Sequence, residues 1–328
     1  MSAARSGRPR VVVTRRLPAP VEEQLTREFD VRLNPDDRAL SAAELADALR
    51  DADALLPTVT DRLTREVLAV EPLRARIIAN YGVGFNHIDT ASAKARGLVV
   101  TNTPDVLTDD TADDAVMLML MVARRGAEGD RLVRAGAWTG WGPTHLLGTR
   151  VSGKTLGLIG LGRIGKAVAQ RAHHGFGMRV IFHDPYPPPP AVVAELGAEP
   201  RGSVDDVLRE ADFVSLHSPA TPETRHLIDA RRLALMKRGA FLINNARGDI
   251  VDEAALVAAL KQGTIAGAGL DVFEREPAVT PDLLTMENVV LLPHLGSATH
   301  ETRIAMGLRA LDNLKAFFAG APPRDRVA

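Results

Sequence analysis

The sequence predicts an α/β protein with two parallel β-sheets, on the basis of three observations. Short runs rich in Val, Ile and Leu alternate with helical segments, and strands separated by helices pair in parallel. This alternation occurs twice, once in roughly the first 100 residues and again from Thr155 onward. The chain of 328 residues is also long enough for two domains of ~150 residues each.

The first series contains predicted strands separated by helices. Ser41 and Glu44 have the spacing of a capping box, in which each side chain satisfies a free amide of the other residue. This helix is predicted to end near Arg50, and a second helix is expected around residues 64–70. The predicted strands are residues 11–14, 54–56, 76–79 and 98–100.

A long helix and a glycine-rich segment separate the two series. Residues 109–125 are predicted to be helical, with a Met- and Leu-rich face that fills core space. Residues 126–150 contain repeated glycines and both tryptophans, Trp138 and Trp141, so no regular structure is expected there. Large aromatic side chains on a loop need a covering surface, which is expected to be their own domain or another subunit.

The second series contains six predicted strands. A helix is predicted from Arg163 to about His174, and Asp252 is predicted to cap a helix that stops at Gly263. The prolines at 187–190 are expected to form an extended surface turn, and a last helix is predicted over residues 299–319. The predicted strands are residues 155–159, 179–183, 212–216, 240–244, 265–270 and 289–292.

Composition argues against several classes of function. The net charge of −1 argues against nucleic acid as the main partner, because phosphate binding needs an excess of Lys and Arg. The chain has no cysteine, which excludes disulfides, thiolate nucleophiles and cysteine-ligated metals and fits a cytoplasmic protein. Its nine histidines show no metal-ligand spacing, so no metal is expected. The longest apolar run, residues 115–123, is far shorter than the ~20 residues that span a bilayer, so no membrane partner is expected.

A dinucleotide-binding fingerprint begins the second series. A G-x-G-x-x-G motif follows a predicted strand and opens a predicted helix, which is the context that makes this motif specific. The first glycine permits a tight turn, the second lets the backbone approach a pyrophosphate, and the third lets helix and strand pack closely. The pyrophosphate would lie at the helix N-terminus. The residues predicted to bind it are Gly160, Leu161, Gly162, Arg163, Ile164 and Gly165.

Two further segments indicate which dinucleotide is bound and where. Asp184 follows the second strand, about 20 residues beyond the motif, where an acidic residue accepts hydrogen bonds from the ribose and repels a 2′-phosphate. The sequence therefore predicts NAD in preference to NADP. His217, Pro219 and Thr224 lie on a loop that follows another strand and is expected to line the same crevice. Taken alone, this loop is equally well interpreted as an ordinary turn with a helix cap at Thr224.

Three chemically active residue types follow three later strands. In a parallel sheet these strand ends meet at one edge, which would bring Arg247, Glu276 and His294 beside the nucleotide. Arg247 could bind a carboxylate in a bidentate pair, and His294 could protonate a carbonyl oxygen while hydride arrives from the cofactor. Glu276 could orient the imidazole and favour its protonated form. Taken alone, each residue is better interpreted as an ordinary surface or turn residue, but the occurrence of all three beside a nucleotide fingerprint favours the catalytic interpretation.

These motifs together resemble the D-isomer-specific 2-hydroxyacid dehydrogenase family. The resemblance covers nearly the whole chain and rests on residues 81–89, the glycine fingerprint, and residues 245–248, 271–277 and 293–299. It implies that Arg247, Glu276 and His294 are catalytic, and that the backbone of Val83 and Gly84 holds the substrate carboxylate together with Arg247. The positions implied to border the nicotinamide half of the cofactor are Thr111, Asn245, Ala246, Asp271 and Gly296.

Within that family the chain is most similar to the glyoxylate/hydroxypyruvate reductase branch, on residues 138–148 and 292–303. The resemblance implies a homodimer whose Trp141 reaches the neighbouring subunit's site, and pocket residues such as Leu55 and Trp141 would select the small 2-oxo acid. Several members of that branch prefer NADPH and lack the acidic residue, so Asp184 departs from them. Two alternatives remain open: an NAD(H)-sensing interaction protein like the corepressors of this fold, or a dehydrogenase for D-lactate, an aromatic 2-oxo acid or phosphite.

The resemblance also implies the domain organisation. Residues 1–104 and 298–328 would form a discontinuous, flavodoxin-like substrate-binding domain. Residues 105–297 would form a Rossmann dinucleotide-binding domain that includes a dimerisation arm at about 126–150. Both would be doubly wound, with a cleft between them that closes on the substrate and excludes water.

Overall fold

The structure, a computed structural model, describes residues 7–328. The chain divides into two compact units, Met1–Leu107 with Ala298–Ala328, and Thr108–Ser297. Each unit contains one sheet in which every pairing between strands is parallel. The predicted α/β class with two parallel sheets is therefore confirmed, while the functional roles of the two units and the cleft stay predictions.

The first unit is built on a five-stranded sheet with helices α1–α4 and α12. The strand order β2-β1-β3-β4-β5 is that of flavodoxin-like folds. Its strands are β1 (Arg10–Val13), β2 (Asp30–Arg32), β3 (Ala54–Leu56), β4 (Ile77–Ala79) and β5 (Val99–Thr101). Its helices are α1 (Ala19–Glu28), α2 (Ala42–Asp51), α3 (Arg65–Leu68), α4 (Thr90–Ala95) and the last helix of the chain, α12 (His300–Phe318).

The predicted elements of the first unit lie within one or two residues of those observed. The capping box at Ser41 and Glu44 is formed, and β3 is fully buried. Helices α1 and α4 and strand β2 were not predicted from the sequence. Helix α1 follows Pro18 and has Pro20 in its first turn, where the missing N–H costs nothing, and it buries only Val21 and Leu25. Strand β2 is an exposed edge strand of three residues and carries no hydrophobic run.

The second unit is built on a seven-stranded sheet of order β12-β11-β10-β9-β6-β7-β8, which contains the Rossmann order 3-2-1-4-5-6 with one further strand. Its strands are β6 (Thr155–Ile159), β7 (Arg179–His183), β8 (Ala198–Pro200), β9 (Phe213–Leu216), β10 (Phe241–Asn244), β11 (Gly267–Leu270) and β12 (Val289–Leu291). Its α-helices are α5 (Thr108–Ala123), α6 (Gly126–Arg134), α7 (Arg163–Gln170), α8 (Pro190–Glu195), α9 (Val204–Glu210), α10 (Ala230–Leu233) and α11 (Glu253–Lys261). Shorter 3₁₀ and π turns cover Arg171–Gly175, Gly248–Ile250 and Pro281–Thr285.

Two predictions about irregular segments are wrong in part. Residues 126–150 were expected to lack regular structure, but the first nine form α6. This helix buries none of its residues, and its ion pairs, such as Arg134 with Asp130, are on the surface. The proline run was expected to be a turn, but Pro189 caps α8 and Pro190 opens it, because proline's fixed φ suits the first helical turn.

The strand order places the chemistry of the second unit at one edge of its sheet. The direction in which strands are added reverses between β6 and β9, which is the switch point where α/β folds bind ligands. The carboxyl ends of β10, β11 and β12 lie side by side on the same edge. Apolar clusters cover both faces of this sheet, so polar groups gather at its ends.

Candidate active site

His294 and Glu276 form a hydrogen-bonded pair on the loops that follow β12 and β11. The Nδ1 atom of His294 lies 2.9 Å from Oε2 of Glu276, and the other carboxylate oxygen accepts from the amide of Phe273 at 3.1 Å. Burial raises the pKa of Glu276, but the hydrogen bond from His294 and the charge of that residue outweigh burial and lower it below its usual range. The carboxylate is therefore ionised, which makes Nδ1 the donor in this hydrogen bond.

The backbone at His294 is held in a conformation that few side chains adopt. Its φ of 58° lies in the left-handed region, which costs free energy and is concentrated at functional sites. Asp271 fixes the turn: its backbone carbonyl accepts from the amide of His294 at 2.9 Å, and its carboxylate accepts from the amides of Leu295 (2.6 Å) and Gly296 (2.9 Å). Asp271 is fully buried, and burial raises the pKa of its carboxyl group.

Arg247 lies on the neighbouring loop, after β10. The side chain of Asn244 holds this loop, because its Oδ1 accepts from the amide of Ala246 (3.1 Å) and its Nδ2 donates to the carbonyl of Arg247 (2.9 Å). Gly248 then passes so close to the next loop that an added Cβ would lie 1.9 Å from the carbonyl carbon of Phe273. Burial lowers the pKa of Arg247, while the negative charges of Glu276 and Asp249 oppose that shift and keep the guanidinium charged.

The glycine fingerprint has the geometry of a pyrophosphate cradle. Gly160 has a φ of +95°, and an added Cβ there would lie 2.9 Å from the carbonyl group of His217. An added Cβ at Gly165 would lie 2.3 Å from the carbonyl oxygen of Gly160, so only glycine lets α7 pack this closely on the loop. No atom among residues 7–328 would lie within 4 Å of a Cβ added at Gly162, which leaves its backbone open to a ligand. The backbone amides of the first turn of α7, those of Arg163 and Ile164 included, lie at this end.

The residues predicted to bind the adenosine half lie at the same switch point. The carboxylate of Asp184 accepts from the amides of Leu161 (2.7 Å) and Tyr186 (2.8 Å), which places it at the fingerprint loop. His217 follows β9 and contacts Ser215 at 2.9 Å, and its burial lowers the pKa of the imidazole to about 4. The imidazole is therefore neutral at pH 7.

Thr224 closes a turn on the loop after β9. Its hydroxyl donates to the carbonyl of Pro219 at 2.6 Å and accepts from the amide of Thr221 at 2.8 Å. No helix begins at this residue, so the interpretation of Thr224 as a helix cap is wrong.

The residues predicted to border the nicotinamide half of the cofactor lie close together in the second unit. Asn245 donates to the carbonyl of Thr111 at 2.7 Å and to the carboxylate of Asp114 at 3.1 Å. A Cβ added at Gly296 would lie 3.3 Å from the methyl group of Thr111 and 3.5 Å from the carboxylate of Asp271. Ala246, the remaining member of this set, is half-buried beside Asn245.

The chain is similar to a family of proteins and to named members of that family. Residues 116–296 match the family described as D-isomer specific 2-hydroxyacid dehydrogenase, NAD binding domain. A relative named glyoxylate reductase from Thermococcus kodakarensis is 48% identical over 320 residues, which cover 96% of this chain and 95% of that one. The chain belongs to this family.

Other relatives agree with this assignment. A glyoxylate reductase from Pyrococcus furiosus is 46% identical over 96% of this chain and 94% of its own. The crystal structure of an NADPH-dependent glyoxylate/hydroxypyruvate reductase from Sinorhizobium meliloti, in complex with NADP and malonate, superposes with a TM-score of 0.87. It is 39% identical, and the match covers 98% of this chain and 97% of that one. This D-2-hydroxyacid dehydrogenase is thus an oxidoreductase with a nicotinamide cofactor.

The first unit of the dehydrogenase contains three of the predicted substrate residues, Leu55, Val83 and Gly84. Leu55 is fully buried in β3, where its side chain packs in the hydrophobic core, and its role in substrate binding stays a prediction. Val83 and Gly84 lie on the loop after β4, half-buried, and their amides have no acceptor among the residues that the structure describes. Such successive free amides are suited to bind an anion.

Two features of this site were not found by sequence reasoning. Asp114 on α5 is buried beside Asn245, one of the residues predicted to border the nicotinamide. Burial together with repulsion from Asp271 raises the pKa of Asp114 to about 6. An acidic residue between Ala112 and Leu118 on the apolar face of a predicted helix was the available signal. The second is a pair between His226 and Glu274 at 2.9 Å, which joins the loop after β9 to the loop that carries Glu276.

Within residues 7–328, no group of three or more His, Asp or Glu side chains is arranged to hold a metal ion. Over the same range, no helix combines the length and the apolar character that crossing a membrane would require.

Proposed function

We propose that this dehydrogenase reduces glyoxylate and hydroxypyruvate with NADH. The observation that carries the proposal is the pair formed by His294 and ionised Glu276, which stands next to the charged Arg247 at the carboxyl edge of a nucleotide-binding sheet. The relatives named as glyoxylate reductases support the choice of substrate. An NAD(H)-sensing interaction protein is not favoured, because those relatives bear the names of enzymes.

The proposed reaction assigns one task to each side chain. The bound dinucleotide supplies a hydride for the carbonyl carbon of the acid. Nε2 of His294 gives a proton to the carbonyl oxygen, so that hydroxypyruvate becomes a D-2-hydroxy acid and glyoxylate becomes the achiral glycolate. Glu276 stabilises the protonated imidazole through Nδ1. Arg247 binds the carboxylate in a charge-assisted pair, and the amides of Val83 and Gly84 are proposed as further donors to it.

The preference for NADH over NADPH is proposed from Asp184. Its carboxylate, fixed by two backbone amides, places a negative charge where the 2′-phosphate of NADPH would lie. The relative from Sinorhizobium meliloti is NADPH-dependent, so family membership alone leaves this choice open. Replacing Asp184 with Ala should weaken NADH binding, strengthen NADPH binding and narrow the preference between them.

The test of the proposed function is a comparison of substrates and cofactors. The purified protein would be assayed for oxidation of NADH and NADPH with glyoxylate, hydroxypyruvate, pyruvate and phenylpyruvate. Rapid use of NADH with the two smallest acids is expected, and His294→Asn should abolish most turnover while NADH binding persists. Turnover of the histidine variant at the wild-type rate would disprove the mechanism. Faster turnover of phenylpyruvate than of glyoxylate would disprove the proposed preference for small 2-oxo acids.

We also propose a homodimer that uses the arm at residues 126–150. Trp141 is 85% exposed and Leu147 is 66% exposed, which is unusual for such large apolar side chains. An apolar groove of about 560 Å³ lies between α5 and the turn after α7 on the same unit. A second copy of the chain would cover these surfaces, with Trp141 reaching the partner's site. Sedimentation analysis should give twice the chain mass, and Trp141→Ala should raise the KM for glyoxylate.

A further inference from the structure

We infer that Asn80 and Asn102 are positioning residues, which present the amides of Val83 and Gly84 to the carboxylate of the substrate. The identity of the ligand rests on the proposed function. The geometry of the loop is independent of that function, since it concerns only the contacts of residues 80–103 with one another.

All three carbonyl groups of the Gly82–Gly84 segment are engaged by the first unit itself. The Nδ2 atom of Asn80 donates to the carbonyl oxygens of Gly82 (2.9 Å) and Gly84 (3.0 Å). The Nδ2 atom of Asn102 donates to the carbonyl oxygen of Val83 at 2.9 Å. Asn80 is fully buried and Asn102 is 8% exposed, so both act from inside the unit. The backbone amide of Thr103 adds a second bond to the Gly82 carbonyl at 3.1 Å.

The orientation of the Asn80 amide is fixed by its partners. Both atoms near Nδ2 are carbonyl oxygens, which can only accept, so the nitrogen must face them. The Oδ1 atom of Asn80 then accepts from Nε2 of His87 at 3.0 Å. Exchanging the oxygen and nitrogen would bring acceptors against acceptors at Gly82 and Gly84.

The fixed carbonyls determine the direction of the amides. In a trans peptide the C=O of one residue and the N–H of the next point in opposite directions across a planar unit. Holding the Gly82 carbonyl therefore directs the amide of Val83 away from Asn80, and holding the Val83 carbonyl directs the amide of Gly84 away from Asn102. Neither amide has an acceptor among residues 7–328. Two adjacent, preoriented donors form a concavity suited to a carboxylate.

A purely structural role would satisfy the same buried carbonyls without affecting the substrate. The two roles differ in their kinetic result. Replacing a positioning residue weakens carboxylate binding, so KM rises while kcat and NADH affinity stay near the wild-type values. Replacing a residue with a purely structural role lowers the melting temperature, and it leaves KM unchanged in the enzyme that remains folded.

The experiment compares Asn80→Leu, Asn80→Asp and Asn102→Leu with a control, Asn34→Leu. Asn34 is in the same unit, and its Nδ2 also donates to two carbonyls, those of Thr14 and Arg38, at 2.7 Å each. We expect KM for glyoxylate to rise about tenfold or more in the Asn80 and Asn102 variants, because a hydrogen bond to a charged group is worth at least that factor. We expect KM of the Asn34 variant, and kcat and NADH affinity of all variants, to stay within about threefold of wild type.

Two results would overturn the inference. One is a KM within twofold of wild type in folded Asn80 variants. The other is an equal rise of KM in the Asn34 control. If the Asn80 variants do not fold, hydrogen exchange of the peptide that contains residues 82–85 is followed in the wild-type enzyme with NAD⁺ and malonate. Malonate should slow that exchange, and unchanged exchange at saturating malonate would also overturn the inference.

The same measurement separates this inference from the proposed function. If the wild-type enzyme reduces none of the four acids, the proposed function fails. Slower exchange of residues 82–85 with malonate would then still support a carboxylate site, and unchanged exchange would reject it.

Discussion

Replacing Gly248 with Ala should disable catalysis without unfolding the enzyme. The added methyl group would lie 1.9 Å from the carbonyl carbon of Phe273 and 2.4 Å from the amide nitrogen of Glu274. An ordinary contact needs at least 3.4 Å, so the loops that carry Arg247 and Glu276 must separate by about 1.5 Å. Both opposing atoms belong to the backbone, which cannot rotate away as a flexible side chain would. Misplacement of a reacting group by about 1 Å can cost a factor of ~100, and forced packing costs roughly 1–3 kcal/mol of stability.

The assay is kcat/KM for glyoxylate, with NADH affinity and the melting temperature as checks on folding. We expect kcat/KM of Gly248→Ala to fall about 100-fold. The matched control is Gly239→Ala, which lies before β10 as Gly248 lies after it, and whose added Cβ meets no described atom within 4 Å. The control should stay within about twofold of wild type. A Gly248→Ala enzyme that is folded and retains more than a third of the wild-type kcat/KM would refute the reasoning.

Three further predictions concern single side chains. Arg247→Lys keeps the charge but loses the bidentate geometry, so KM for glyoxylate should rise about tenfold or more in steady-state assays. Glu276→Gln keeps the size but removes the charge that balances protonated His294, so kcat should fall roughly 10–100-fold while the measured Kd of NADH is unchanged. Asp114 has a pKa raised to about 6, so its contribution to stability is highest below pH ~4 and is lost as pH rises through 6. Asp114→Asn should remove this loss, and denaturant titrations should show that the unfolding free energy of the variant rises by about 2 kcal/mol relative to wild type between pH 4 and pH 8.

The second sheet could be predicted well because its signals are local and strong. Strands β6 and β7 have their predicted limits, since each has an apolar, largely buried centre and ends at a turn. The helix cap at Asp252 was also recognisable, because its side chain accepts from Ala255 as the cap pattern requires. Parallel pairing then placed the strand ends that carry Glu276 and His294 side by side.

The missed elements depend on contacts that a sequence pattern does not contain. Strand β8 is a three-residue edge strand that includes a proline, and it pairs with β7 through only three positions. Helix α6 contains two glycines, which lower helix propensity, and it buries none of its residues. The pKa of Asp114 could not be foreseen either, because it depends on burial beside Asp271, which is distant in sequence.

The geometry of the site is set by backbone groups as much as by the three side chains proposed to be catalytic. Glu276 is held by the amide of Phe273, and the turn at His294 is held by Asp271 from the same loop. The Arg247 loop rests on Phe273 through Gly248. Because one short segment supports all three groups, a displacement there should disturb carboxylate binding and proton transfer together. Damage at Gly248 and loss of the Glu276 charge should therefore be less than additive, since each removes part of the same arrangement.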